Sequence, residues 1–227
     1  VLNLSEEKNM NQNLKAALAE MIGTFTLTFI GAGAGALAGA SGGGLLAVAL
    51  AHGVALMVIV YAWGAVSGAH VNPAVTFGLA IAGKMDWMKA IYYWIAQFVG
   101  AALAAYLLAY LVGAGTGLGA TIGSLTSTDP VKAIILEAVL TFFLVTAVFG
   151  TAVAGRNGNA AGLAIGFVLA MDILMGGPLT GASMNPARTF GPALATGDFS
   201  YLWMYLAGPL LGGAAAGLLY DRVFLSK

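Results

Sequence analysis

Two segments of this chain spell almost the same turn. Residues 67–78 read SGAHVNPAVTFG and residues 180–191 read TGASMNPARTFG, identical at eight of twelve positions. Each copy follows a long apolar stretch, so a polar Asn-Pro-Ala turn is buried twice at comparable places. Asn is a favoured N-cap, and Pro suits the first helical position because its missing N–H had no partner there anyway. Asn72-Pro73-Ala74 and Asn185-Pro186-Ala187 are therefore each expected to start a helix, and the apolar surroundings put both starts inside a membrane.

The membrane assignment rests on composition. Hydrophobic residues make up 60% of the 227-residue chain and charged residues 8%, and the net charge is zero. The mean hydropathy is +0.91. A soluble domain carries about a quarter charged residues, so the chain reads as an integral membrane protein with the lipid bilayer as its surroundings. With no basic patch, nucleic acid is not an expected partner. The absence of cysteine removes disulfides and thiol chemistry. The polar start, VLNLSEEKNMNQNLK, has no apolar core with a cleavage site, so it reads as a short solvated tail rather than a signal peptide.

A spanning helix needs roughly twenty mostly apolar residues. Six stretches qualify, near 14–37, 45–64, 88–112, 131–153, 159–178 and 201–224. They are too long, and lack the period-two alternation, for barrel strands. The segments opened by Asn-Pro, between spans two and three and between spans five and six, are long enough only for half-spanning helices. The repeat extends beyond the turns. Ala19-Glu20, Thr24-Phe25 and Leu27 are echoed by Leu136-Glu137, Thr141-Phe142 and Leu144, and Gln97-Phe98-Val99-Gly100 loosely by Pro209-Leu210-Leu211-Gly212. Each half thus holds three spans and one half-helix. Three is odd, so the second half enters from the opposite face and the two turns meet near the midplane, as in inverted repeats.

The expected organisation is one all-α membrane domain: a polar cytoplasmic tail over 1–13, a first repeat over 14–112, an extracytoplasmic connecting loop over 113–130, and a second repeat with a short tail over 131–227. The loop is rich in Gly, Ser and Thr and reads as surface, with its Ile and Leu able to fold part of it back. Lys8, Lys15, Lys84, Lys89, Arg156, Arg222 and Lys227 fall on one side, which makes both termini cytoplasmic. The expected host is the plasma membrane.

Irregular backbone at bilayer depth survives only where protein buries it or where it lines a wet cavity. The carbonyls of Gly68, Ala69, His70 and Val71, and of Gly181, Ala182, Ser183 and Met184, are the candidates to line one. Two helix N-termini facing one point make the midplane positive, which repels cations and orients water. One Asn-Pro-Ala in a soluble protein is a plain helix start. Two at matching places of an inverted membrane repeat specify a pore.

The doubled NPA, the ARTFGPA that follows and the six-plus-two helix layout resemble the aquaporin and glycerol-facilitator family, the major intrinsic proteins, over residues 14–224. That resemblance implies six transmembrane helices in a right-handed bundle, two re-entrant half-helices, one pore per subunit and a homotetramer. Half-helix dipoles and an arginine are the selectivity device already described for aquaporin-type pores. The resemblance also implies a second, outer constriction, at Arg188 after the second NPA, Ala182 before it, Ile173 in span five and His52 in span two, the last two placed by LAHG and AIGF. A His/Ile/Ala/Arg set is similar to that of plant vacuolar aquaporins, several of which pass ammonia or urea. Thr189, the short stretch from Gly191 to Tyr201 and Tyr205 lean towards water channels, whereas Leu206 resembles the glycerol branch.

The expected function is a passive channel conducting water in single file and excluding protons and ions, with glycerol, urea or ammonia as further small neutral solutes. A glycerol uptake facilitator is the runner-up, and an ion-coupled secondary transporter follows it. No catalytic motif, metal site or cofactor site is expected. Glu20 and Glu137 are repeat mates, expected to accept hydrogen bonds from the re-entrant loops, with proton relay as the alternative. His70 reads as a loop brace whose carbonyl, not its ring, faces the path. Asp172 pairs either with a filter group or with a neighbouring helix, and both remain open. The tryptophans Trp63, Trp87, Trp94 and Trp203 read mostly as interface anchors.

Overall fold

In a computed structural model, residues 4–155 and 158–225 are described; Arg156 and Lys227, used above for orientation, lie outside them. The chain order is α1 (Leu4–Ser41), α2 (Gly44–Ser67), α3 (Pro73–Ile81), α4 (Trp87–Val112), α5 (Pro130–Val148), α6 (Ala161–Thr180), α7 (Pro186–Thr196) and α8 (Leu202–Leu219). Helices α5 and α8 run on into short π-helical turns, Phe149–Val153 and Tyr220–Leu225. Among the described residues six helices are long and apolar enough to cross a membrane. Helix α1 begins at Leu4, so the polar stretch from there is continuous with the first span.

Local chemistry sets the boundaries. Asp86 caps α4 by accepting from the N–H groups of Met88 (2.9 Å) and Lys89 (3.2 Å), and Asp129 caps α5 through Lys132 N–H (3.1 Å). Helices α2 and α6 both end at a left-handed glycine, Gly68 (φ 91°) and Gly181 (φ 82°), each closing a bond to the carbonyl four residues back. Glycine tolerates that backbone without steric cost.

Within each half α1 packs on α4 and α5 on α8, while α2 and α6 join the halves. The repeat mates Gly100 and Gly212 show why the pairs approach so closely. A β-carbon at Gly100 would collide with the Met21 carbonyl, and one at Gly212 with the Ala138 carbonyl. Small residues permit such approach where lipid gives helices little hydrophobic reason to associate. Large apolar side chains such as Leu14, Ile95, Val131 and Phe167 stay exposed, as a lipid-facing surface requires.

The half-helices α3 and α7 enter this frame from opposite ends, with α3 against α8 and α7 against α4. The loop over 113–130 is only partly surface. A 3-10 turn at Ala114–Gly119 buries Leu118, while Ile122 is exposed. The loop then docks on the end of α6, where Ser124 N–H donates to Pro178 O (3.0 Å) and Leu125 N–H to Leu179 O (2.8 Å).

Candidate functional site

The two Asn-Pro-Ala turns meet head to head. Asn72, extended at φ −157°, and Asn185, at φ −142°, cap their helices with the side-chain oxygen. Asn72 Oδ1 accepts from Ala74 N–H (2.8 Å); Asn185 Oδ1 accepts from Ala187 N–H (3.0 Å) and Arg188 N–H (3.2 Å). Each side-chain NH2 then reaches across the junction. Asn72 Nδ2 donates to Met184 O and Asn185 Nδ2 to Val71 O, both at 2.8 Å. A carboxamide carries two N–H donors, and each asparagine directs one of them across the junction. Pro73, Ala74, Pro186 and Ala187 are buried beneath.

The loops leading into the turns hold an unusual backbone. Ala69 (φ 50°), Val71 (φ 43°), Ala182 (φ 45°) and Met184 (φ 52°) are left-handed without being glycine. For a β-branched residue such as Val71 this conformation is an outlier that persists only when its surroundings over-determine it. Two buried carboxylates supply that constraint. Glu20 accepts from Ser67 Oγ (2.7 Å), His70 N–H (2.9 Å), Val71 N–H (2.6 Å) and Gln97 Nε2 (2.8 Å). Glu137 accepts from Thr180 Oγ1 (2.7 Å), Ser183 N–H (2.9 Å) and Met184 N–H (2.7 Å). With their N–H groups turned to the carboxylates, the loops direct carbonyls elsewhere.

A narrow cavity of about 40 Å³ runs past this junction, lined by Gly68, Ala69, His70, Val71, Asn72, Ser183, Asn185, His52 and Arg188 among others. One water needs on the order of 10–15 Å³ of such space, so the cavity holds only a short file. Its remaining wall is apolar, with Leu27, Leu56, Leu144, Ile165 and Leu169. Leu27 and Leu144 are repeat mates in the sequence, which is the signal that could have marked them as lining residues. A second cavity of about 480 Å³ adjoins on the side of the connecting loop and is lined by Gly181, Gly119, Val48 and again Arg188. Arg188 thus stands at the waist between a narrow and a wide space.

Arg188 is 4% exposed and held by two acceptors. Its Nε donates to His52 Nε2 (3.3 Å) and one terminal N–H group to Gly119 O (2.7 Å). Among the described residues it has no carboxylate partner at ion-pair distance. His52 Nδ1 lies 2.9 Å from Val48 O. A carbonyl only accepts, so Nδ1 carries the proton and Nε2 is left as an acceptor for Arg188.

Of the four positions expected at the outer constriction, His52 and Arg188 touch. Ile173 and Ala182 are buried in the central apolar cluster and line neither cavity. Among the loop positions, Met184 likewise lines neither, and its carbonyl accepts the Asn72 amide. The His70 ring bonds Thr76 Oγ1 through Nδ1 (3.1 Å) and meets the Tyr93 ring edge-on. Asp172 Oδ2 is buried without a hydrogen-bond partner among the described residues. The Trp94 indole N–H donates to Pro73 O (3.1 Å) at the back of the first turn. The sequence reading missed Gly119 and Thr121 altogether, because a Gly- and Ser-rich segment carries no periodic signal of burial.

The sequence matches the Major intrinsic protein family over residues 7–220. It is 43% identical to Aquaporin TIP2-1 of Arabidopsis thaliana, covering 95% of this chain and 89% of that one. It is 45% identical to Aquaporin TIP1-1 of Zea mays, covering 94% and 88%. Among solved structures it resembles the aquaglyceroporin from Plasmodium falciparum, with a TM-score of 0.82 and 26% identity over 93% of this chain and 96% of that one. With inverted repeats closing head to head on a narrow cavity and this match along nearly its whole length, the chain belongs to the major intrinsic protein family.

Proposed function

We propose that the protein is a passive channel that conducts water in single file and excludes protons and ions. The observation that carries this reading is the crossed asparagine pair in a narrow, largely apolar cavity. Each carboxamide directs one N–H across the junction, and the other is available to a passing oxygen. Two such donors at facing helix N-termini turn each water oxygen towards the midplane and interrupt the donor chain a proton would need. Arg188, at the waist, presents a fixed positive charge to any cation. NPA constriction roles for Asn72 and Asn185, and outer-filter roles for His52 and Arg188, belong to this proposal.

Glycerol facilitation is the second reading, favoured by the resemblance to a structure named as an aquaglyceroporin. A coupled transporter has less support, because Glu20 and Glu137 are already taken up by loop donors and line no part of the narrow cavity. We further propose a homotetramer with both termini in the cytoplasm. The plasma membrane is the host expected from the sequence; the TIP-type relatives lend it no support, and cell fractionation decides it.

The test is osmotic shrinkage of proteoliposomes by stopped flow, followed by re-swelling in glycerol, urea and methylamine. Rapid shrinkage with slow re-swelling is expected for a water channel. Water flux no faster than in empty liposomes overturns the reading, and glycerol entry rivalling that of water moves the protein to the facilitator branch.

A further inference from the structure

The His52 ring sits in a space that exists only because residue 31 has no side chain. A β-carbon built on Gly31 would overlap His52 Cδ2 and Nε2 and stand 2.7 Å from Cγ. The ring has little freedom to retreat, since Nδ1 is tied to Val48 O and Nε2 to Arg188 Nε. The next residue of α1 supports the other acceptor of Arg188. Gly119, whose carbonyl takes the guanidinium, has φ +66° and lies so close to the Ala32 backbone that a β-carbon there would collide with the Ala32 carbonyl. Both groups that hold Arg188 therefore rest on one turn of a helix that carries neither of them.

We infer that Gly31 is a positioning residue for the outer constriction: its missing side chain sets where the His52 ring lies, and Arg188 takes its place from that ring. The inference rests on the reading of His52 and Arg188 as the filter. A methyl group at residue 31 overlaps the Cδ2–Nε2 edge of the ring, displaces the ring away from α1 and takes Nε2 off Arg188. The ring then encroaches on the lumen and Arg188 keeps Gly119 O alone.

The experiment compares Gly31→Ala, His52→Ala and the double variant of the full chain in proteoliposomes, measuring water shrinkage and urea entry. Gly39→Ala on the same helix, where a β-carbon meets nothing within 4 Å, controls for a stiffened helix. Gly31→Ala is expected to lower water flux about two- to tenfold, the Boltzmann weight of holding a side chain roughly 30° off its rotamer, and to lower urea entry more. In the His52→Ala background the same substitution is expected to change neither flux. Equal losses in both backgrounds, or none in either, overturn the inference. Should Gly31→Ala accumulate poorly, recovery of yield in the double variant supports the inference, and continued failure overturns it. The filter reading fails by a separate result, a urea-to-water ratio in His52→Ala alone that equals that of the unaltered protein.

Discussion

The two halves of the channel share a backbone and differ in where their polar groups lead. In the first half the network closes on itself. Glu20 holds the loop, Gln97 bridges Glu20 to Thr76 Oγ1 (3.0 Å), and Thr76 receives the His70 ring. In the second half Pro209 stands in place of Gln97 and Ser183 in place of His70. Thr189, the mate of Thr76, pairs with Ser183 and, outside its own repeat, with Thr121 of the connecting loop (2.9 Å). Even the matching tyrosines divide this way. Tyr93 donates to Ser67 O and Tyr205 to Thr180 O, but Tyr205 alone also meets a connecting-loop hydroxyl, Thr126 (3.1 Å). Duplication fixed the geometry that both halves need. The copies differ above all at Arg188, the residue proposed for the outer filter, whose mate is Val75.

Removing either carboxylate attacks what the halves share and should have the largest effect. Glu20→Ala strands four donors and Glu137→Ala three. Each buried, unpaired donor costs about 1–3 kcal/mol, so both variants should lose several kcal/mol of stability and most of their water flux, Glu20→Ala the more. Thermal unfolding in detergent beside liposome flux checks this. Water flux at the unaltered level in Glu137→Ala would show that the loop backbone does not depend on its brace.

Arg188→Val makes the second half a copy of the first at the proposed filter position. The fold should survive, because Asn185, Glu137 and their bonds are untouched. Urea entry and ion conductance should rise, since the variant loses the charge at the waist while keeping both half-helix N-termini. Unchanged solute and ion exclusion would remove Arg188 from the filter and leave the asparagine pair as the sole barrier.

Thr121→Val tests the link that only the second half makes. It removes one hydroxyl from the Thr121–Thr189–Ser183 chain, and a single buried hydrogen bond contributes about 1 kcal/mol. The expected result is a small fall in melting temperature with water flux retained. In the first half Thr76→Val, at the mate of Thr189, should cost more, because it breaks contacts to both Gln97 and His70. Equal losses from the two would erase the distinction between a closed and an open network.

How far the sequence carried follows from which residues had a mate. Asn72 and Asn185, Glu20 and Glu137, Thr24 and Thr141 are visible because the chain states them twice, and inverted helices follow from counting spans. Gly119 and Thr121 have no mate. They lie in a segment whose composition signals a loop, and only tertiary packing reveals that it is folded inwards. The contact of His52 with Arg188, 136 positions apart, needs the bundle to exist before it can be read. Asp172 resisted for another reason: periodicity puts a residue on a helix face without saying what that face meets.

The smallest expected effect lies where the connecting loop hands over to the second half. Asp129 caps α5 from outside the membrane and pairs with Lys132 (2.9 Å). Its carboxyl is held below the ordinary 3.8, first by the hydrogen bond from the Lys132 ammonium and then by the Lys132 backbone N–H. A carboxylate whose folded value is depressed contributes stability that is present above its unfolded value and is lost as pH falls through the folded one. The contribution should therefore be complete at neutral pH and vanish only below 3.8. Because the pair is solvent-exposed, salt screens it and its size is small. Asp129→Asn should lower the melting temperature slightly at neutral pH and bring the variant and the unaltered protein together in acid, where both carry a neutral cap. Among the described residues the first-half cap Asp86 on α4 accepts from backbone N–H groups and has no lysine at ion-pair distance. Lys132→Met should remove most of the pH dependence of the Asp129 contribution, and an unchanged pH dependence in that variant would assign the effect to helix capping rather than to the charge pair.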